Sequence, residues 1–537
     1  MESPNLREGD RPEFWTHPPG GHLDTEPWLP YTGGQKEGPA SRACGIYALR
    51  GRVHGGLQPA NGEGPRTRHD GPPWPRKEKS MLKLHPENPH YFLWRGRPTV
   101  LIGSGEHYGA VLNSAFDYRN YLRTLQADGL NHTRLFTGVY VEAEVWKCGD
   151  GMLTDNTLGP GPGLLLCPYA RSETPGYAHG GCKFVLSRWD EAYFARLRDF
   201  VAQADAHGVL VEVNLFCPFY DGQFWGLSPW HAANNVNGLG QCAHTDVYTL
   251  DRSGPLLEVQ EALVRRIVAE LRDCANVYYE ICNEPYFGGV TLAWQRHIAA
   301  LIASEEAGSG EQHLISQNIA NLQARVTDPH AAVSILNFHY AWPPDTVAMN
   351  WALGRLIGDN ETGFRGIEDA PYRREAWEFV LAVGALYSHL DYSFTVGHED
   401  GSYALRPDQA GGGSPALRAQ LGRLKEFIEG FDVLHMQADD SVVRVAELSG
   451  PLRGGLTQIS ARALVQPGEQ YALYIAGGAR VRLGVALPPG RYSAEWLHPR
   501  TGQREAAGCW EHGGGERAVQ SPAYEEDIAL SIRRAAG

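Results

Sequence analysis

Asn276-Val-Tyr-Tyr-Glu-Ile-Cys-Asn-Glu-Pro-Tyr286 is a short apolar, strand-like run that stops abruptly at Asn283-Glu284-Pro285. A carboxylate set where a buried strand ends, with an amide before it and a proline after it, is how a barrel enzyme holds an acid at its mouth. Glu284 is therefore the first candidate for chemistry. Around it, from residue 81 to about residue 430, apolar strand-like runs alternate with amphipathic helical runs, the pattern of βα units on a parallel sheet.

Strands are expected at Thr99–Gly103, Asn131–Thr137, Leu210–Phe216, Val277–Cys282, His313–Gln317, Val333–Phe338, Leu356–Asp359 and Tyr392–Val396. Eight of them predict an α/β fold, a (β/α)8 TIM barrel over residues 81–430. Helices are expected at Phe116–Gln126, at Arg188–Ala206 beside a Ser187-x-x-Asp190 capping box, and at Leu256–Leu271, Leu292–Ser304, Arg373–His389 and Pro415–Glu429. Two strand-to-helix loops, Gly138 to Lys183 and Cys217 to Gly254, are long enough to suggest function, and both fall on the face that carries Glu284. After Phe431, strands split by Gly and Pro turns, such as Tyr471-Ala-Leu-Tyr-Ile475, Val481-Arg-Leu-Gly-Val485 and Tyr492-Ser-Ala-Glu-Trp496, predict a C-terminal antiparallel β-sandwich over 431–537. Residues 1–80 are Gly/Pro-rich and aperiodic, and are expected to be a disordered N-terminal extension.

The chain of 537 residues has room for more than one core, since single cores stop growing at roughly 250–300 residues. Its 48 basic and 62 acidic residues give a net charge of −14 without long blocks of either sign, so nucleic acid is not an expected partner and a neutral substrate fits better. The nine cysteines form no CxxC pair and no metal-like cluster, so neither a zinc site nor a redox dithiol is signalled, and the expected chemistry below calls for no metal or organic cofactor. Cys148, Cys167 and Cys182 share one loop and could pair in an exported protein; otherwise free thiols are the default. No apolar run reaches membrane-spanning length, and Met1-Glu-Ser-Pro-Asn5 has neither the basic nor the apolar region of a signal peptide. As written the chain reads as cytoplasmic, with no membrane partner; a true start at Met81, where composition changes, leaves secretion open.

Cleaving a glycosidic bond takes a proton donor on the leaving oxygen and a second carboxylate at the anomeric carbon. Glu284 finds that partner in Glu361, within Leu356-Ile-Gly-Asp-Asn-Glu-Thr-Gly-Phe364, because the ends of strands four and seven face each other across a closed barrel. Asp359 is the fallback nucleophile. The bland alternative is that either Glu is a surface carboxylate at the start of a loop.

Asn283-Glu284-Pro285 after the fourth strand and Glu361 after the seventh resemble the clan A retaining glycoside hydrolases, especially the cellulase-like family 5 group, over about residues 81–430. The resemblance implies Glu284 as acid/base, Glu361 as nucleophile and Asn283 as the group that bonds the sugar 2-hydroxyl. It implies Arg134, in Asn131-His-Thr-Arg-Leu135, as the cation held against the nucleophile, and His339 and Tyr340 as residues lining the same subsite. The family pattern is His-x-Tyr, whereas here the two are adjacent, so spacing leaves open which one reaches Glu361. Tyr492-Ser-Ala-Glu-Trp-Leu-His-Pro-Arg-Thr-Gly502 is similar to the ending of a C-terminal domain labelled collagen-binding in bacterial barrel proteins of this kind. No His-Glu-x-x-His motif accompanies that label.

Glu106 and His107 after the first strand, and His398, Glu399 and Asp400 after the eighth, fit either substrate contact or a hydrogen-bonded rim. Glu212, Asn214 and Glu280 fit packing or pairing inside the barrel. Trp225 and Trp342 are candidate stacking faces for a sugar, ahead of Trp146 and Trp230. Cys217 and Cys282 read as buried small residues. The expectation is a retaining O-glycoside hydrolase acting on a β-linked oligo- or polysaccharide. Its rival is a non-catalytic glycan-binding protein on a degenerate barrel.

Overall fold

The computed structural model describes residues 81–535 apart from 149–150, 309, 453–455 and 457, so the expected N-terminal extension lies outside the described residues. Eight parallel strands form the barrel: β1 Leu101–Gly105, β2 His132–Phe136, β3 Leu210–Asn214, β4 Val277–Glu280, β5 Ile315–Asn321, β6 Ile335–His339, β7 Leu356–Thr362 and β8 Leu386–Leu390. Hydrogen-bonded neighbours run β1-β8-β7-β6-β5-β4-β3-β2. The seam between β1 and β2 is closed by Asn131, whose backbone N–H donates to Ile102 O (3.1 Å) and whose Oδ1 accepts from Ile102 N (2.8 Å). A side-chain amide thus stands in for a missing ladder bond. Parallel strands covered by helices read as near-continuous apolar runs because both faces are buried, which is why the positions of the first seven were legible.

The longer helices are α1 Tyr118–Ala127, α2 Glu191–Ala206, α3 Leu256–Leu271, α4 Leu292–Glu305, α5 Asp369–Leu381 and α6 Pro415–Glu429. In α3, Leu256, Leu263, Val264, Ile267, Val268 and Leu271 make the buried stripe that a 3.6-residue period requires. Local chemistry sets the boundaries. Helix α2 is capped by Asp190, which accepts from Ala192 N, so the expected box at Ser187 does not form and the helix begins three residues later than expected. In α6, Ser414 accepts from Leu417 N and Pro415 occupies the first turn.

The eighth strand differs from expectation: it is Leu386–Leu390, not Tyr392–Val396. The helical periodicity from Arg373 runs on into this strand and hides it. Helix α5 stops earlier because Val383 is left-handed (φ 71°) and a Cβ on Gly384 would sit 2.1 Å from the Phe379 ring. His398, Glu399 and Asp400 consequently lie deep in the following loop rather than at a strand end. The long loop after β2 carries two hairpins, Val145–Cys148 with Gly151–Thr154 and Tyr169–Pro175 with Cys182–Trp189. Cys148, Cys167 and Cys182 are free thiols.

Past α6 the chain builds a six-stranded and a three-stranded antiparallel sheet. The six-stranded one includes Gln470–Ala476, Gly490–Leu497 and Asp527–Arg534, and Arg480–Leu487 is the centre of the other. Helix α5 lies against this sandwich as well as the barrel, with Trp377 stacked on Tyr474 (5.1 Å between ring centroids) and Arg373 bonded to Asp527 (2.6 Å) and Glu526 (2.8 Å). Every residue from Tyr372 to Leu381 is buried. Among the described residues no helix is long and apolar enough to cross a membrane.

Candidate active site

Strand ends set the geometry. Beyond β4 the chain reaches Glu284, which adopts a left-handed backbone (φ 36°). On β7, Gly358 and Asn360 face the barrel interior: a Cβ on Gly358 would lie 2.5 Å from Asn337 Oδ1, and Asn360 Nδ2 donates to Glu212 and Glu280, each at 2.7 Å. Strict alternation would then turn Glu361 outward. The register against β6 slips instead, because Phe338 pairs with Asp359 and His339 with Glu361; Asn360 is an extra residue and Glu361 swings inward. Asp359 stays on the helix side, where its carboxylate accepts from Ala341 N (3.2 Å) and couples to the charge of Glu375 on α5.

His339 and Tyr340 both reach Glu361. Consecutive strand residues point to opposite faces, but Tyr340 is left-handed (φ 55°), which brings its side chain back to the mouth. Tyr340 donates to Glu361 Oε1 at 2.7 Å, and His339 Nδ1 lies 3.4 Å from the same oxygen and 3.2 Å from Glu284 Oε1. Glu361 Oε2 accepts from Tyr108 (2.8 Å) and from Arg134 (3.1 Å). Burial alone would raise the Glu361 carboxyl, yet the His339 and Arg134 charges and the Tyr340 hydrogen bond hold it well below the usual carboxylate range. Burial likewise opposes the His339 imidazolium, but the Glu361 charge and the hydrogen bonds to both carboxylates push its pKa up to about 10.

Arg134 is the hub. Its three nitrogens donate to Glu212 (3.1 Å), Glu361, Glu280 (2.7 Å) and Asn283 Oδ1 (3.0 Å), and its guanidinium lies 4.5 Å from the Tyr108 ring. One guanidinium facing three carboxyls needs relief; His339 supplies a second cation, and burial together with the Glu212 charge pushes the Glu280 carboxyl up. Glu284 accepts from Tyr220 (2.6 Å) and Tyr286 (3.2 Å) as well as facing His339. Asn283 Nδ2 donates to Tyr220 Oη at 3.1 Å. One ligand-capable atom from each of Glu284, His339 and Glu361 lies within 4.8 Å of the other two, spacing that could hold an ion. A His339 kept as imidazolium has no free lone pair, so an ion would first have to displace its proton.

No protein-family model matches the chain, and no curated protein sequence does. Solved structures do. A candidate glycoside hydrolase from Bacteroides vulgatus ATCC 8482 aligns with a TM-score of 0.61 over 86% of this chain and 83% of its own, at 13% identity. Another glycoside hydrolase gives 0.57 over 86% and 98%, at 14% identity. A glycoside hydrolase family 5 structure from Bacteroides vulgatus ATCC 8482 gives 0.56 over 86% and 94%, also at 14% identity. The fold is one that glycoside hydrolases use. At such identities the likeness is of fold, and the residues must carry the chemistry.

Among the other residues singled out in the sequence, Glu106 turns its carboxylate into its own loop, accepting from Gly109 N (2.8 Å), Ala110 N (3.1 Å) and Thr157. Burial raises its pKa to about 7. His107 is buried beside the site, with Nε2 at 3.8 Å from Glu142, and burial lowers its pKa to about 4. Trp225 is packed under the third-strand loop between Phe219 and His231, its Nε1 on Cys242 O (3.1 Å). Trp342 points toward α5, donating to Glu378 (3.0 Å) with the Arg365 and Arg374 guanidiniums each 4.7 Å from its ring. His398 is an exposed rim residue, and Glu399 accepts from Asp117 N (3.2 Å) at the start of α1. Cys217 and Cys282 are buried, and burial raises both thiols.

Sequence reasoning passed over Tyr108, Tyr220, Tyr286 and Glu142. Three of them are tyrosines shortly after a strand that already carries a candidate, which is the one signal available. Glu142 lies in the long loop and accepts from Tyr140 (3.2 Å) and Trp146 (3.0 Å); burial raises its pKa to about 8.

Proposed function

We propose that the protein is a retaining O-glycoside hydrolase acting on a β-linked glycan. One observation carries this reading: Glu284 and Glu361 stand at the ends of β4 and β7 with oxygens within 4.8 Å and His339 between them. Carboxyls about 5–5.5 Å apart suit direct attack on the sugar, whereas those that activate an intervening water stand roughly 6.5–9.5 Å apart. Glu361, kept ionised by Arg134 and His339, attacks the anomeric carbon while Glu284 protonates the leaving oxygen. Water then hydrolyses the glycosyl ester, giving its proton back to Glu284 as Glu361 leaves. Asn283, fixed by Arg134 and Tyr220, would bond the sugar 2-hydroxyl.

A screen of chromogenic aryl β-glycosides tests the activity, and NMR of the first-formed anomer tests the stereochemistry. Retained configuration is expected; an inverted product sinks the mechanism. Glu361→Ala should abolish turnover on every substrate. Glu284→Ala should lower kcat about 10²–10⁴-fold on poor leaving groups and far less on nitrophenolate, which needs no proton. No turnover across the screen, with glycan binding retained, would instead favour a binding protein.

A further inference from the structure

The two sides of the candidate site are built differently. On the Glu284 side the surface is open and apolar: Tyr286, Phe287 and Leu322 are 37%, 36% and 48% exposed. Tyr286 bonds both Glu284 and Asn321, so this surface is continuous with the proposed proton donor. On the Glu361 side the residues that face its charge are buried: His107, Glu142 and Tyr392 are 7%, 3% and 3% exposed. All three are close enough to Glu361 to couple to its charge.

A strap links the loops on this closed side. The hairpin Val145–Cys148 with Gly151–Thr154 leaves the β2 end and is fastened to the loop after β8, where Met152 N donates to Asp408 O (3.0 Å) and Ala410 N to Met152 O (3.2 Å). Tyr403 adds a bond to Asp155 (2.9 Å). Farther along, the same insertion is tied to the loop after β1, with Ser114 N on Leu164 O (3.0 Å) and Leu166 N on Leu112 O (2.7 Å). The loops after β1, β2 and β8 therefore form one wall. On the same side, His107 Nδ1 and Tyr392 Oη are buried with no hydrogen-bond partner among the described residues. Neither atom exposes surface, so this side is sealed by the residues packed on it.

Resting on the glycosidase reading, we infer that the protein is exo-acting: the strapped side beside Glu361 takes a single terminal sugar, and the open apolar side beside Glu284 takes the aglycone. A chain that continues beyond the terminal sugar would run into the wall formed by the strap.

The test uses paired 4-nitrophenyl β-glycosides, each monosaccharide alongside its disaccharide, with product analysis. Direct nitrophenol release from a monosaccharide glycoside, and release from its disaccharide only after a lag in which free terminal sugar appears first, is the expected result. Immediate release of intact disaccharide would overturn exo action while leaving the glycosidase reading standing. No turnover of any pair overturns both. Gly151→Val isolates the strap, because a Cβ there would lie 2.6 Å from Ala410 Cα, a backbone atom that cannot give way cheaply. In a variant that keeps the wild-type melting transition, direct disaccharide release should rise at least tenfold relative to monosaccharide turnover; an unchanged ratio removes the strap as the cause.

Discussion

At the scale of single residues, Arg134 does two jobs that its neighbours make inseparable. The family resemblance gives it the task of orienting a nucleophile, which suggests that its loss would spare folding. Its bonds to Glu212 and Glu280 argue otherwise, since removing one partner from a buried ionic cluster leaves uncompensated charge and costs about 3–5 kcal/mol. Arg134→Ala should therefore lower the melting temperature by several degrees as well as crippling kcat; an unchanged melt would show that the cluster carries no stability. His339 yields a prediction in pH. Its folded pKa of about 10 lies above the unfolded value near ~6.5, so its contribution is complete below about pH 6.5 and is lost as pH rises toward 10. Glu361, shifted down, contributes above about pH 4.3 and loses that contribution as the solution turns acid. Urea midpoints of wild type should fall between pH 6.5 and 10 more steeply than those of His339→Asn. Parallel curves would rule out a buried imidazolium. Glu284, Glu361, Asn283, Arg134 and His339 were readable because each sits in or just after a strand, where position along the chain fixes position in the barrel. Tyr108, Tyr220 and Tyr286 were not, because their hydroxyls arrive through loop conformations that no periodicity encodes.

Elements explain why the site assembles at all. A regular β7 would hold Glu361 toward the helices, and the extra residue Asn360 turns it inward while placing its own amide on Glu212 and Glu280. The adjacent His339 and Tyr340 work as a pair for a related reason, a left-handed residue just past β6. Both features are invisible in hydrophobic patterning, which records which residues are buried and not where a strand slips register. The overlong helix expected through His389 failed on similar grounds, because apolar spacing continued through Gly384 while the backbone did not. If Tyr340 serves only to hold Glu361, then Tyr340→Phe removes one hydrogen bond to a charged group, worth about 1.5–3 kcal/mol in the folded site, without disturbing the turn. It should lower kcat about 10–100-fold while KM changes little. A variant with wild-type kcat would mean that Tyr108, Arg134 and His339 suffice.

Across the whole molecule, the barrel does not end where its last helix ends. Helix α5 is buried on two sides because the β-sandwich is its second partner, so a chain stopped at residue 430 would expose Trp377 where Tyr474 now stacks and strand Arg373 without Asp527 and Glu526. Truncating one buried Trp alone costs about 3–5 kcal/mol, a large part of the roughly 5–15 kcal/mol by which domains are stable. The C-terminal strands were legible as strands in the sequence, but this dependence was not, since an amphipathic pattern does not say how many neighbours will share a helix. We expect the chain ended at residue 430 to be aggregated or to lack a cooperative melting transition, as read by size-exclusion chromatography and calorimetry. A monomeric product melting within a few degrees of the full chain would mean that the barrel is self-sufficient and that α5 tolerates solvent on its outer face.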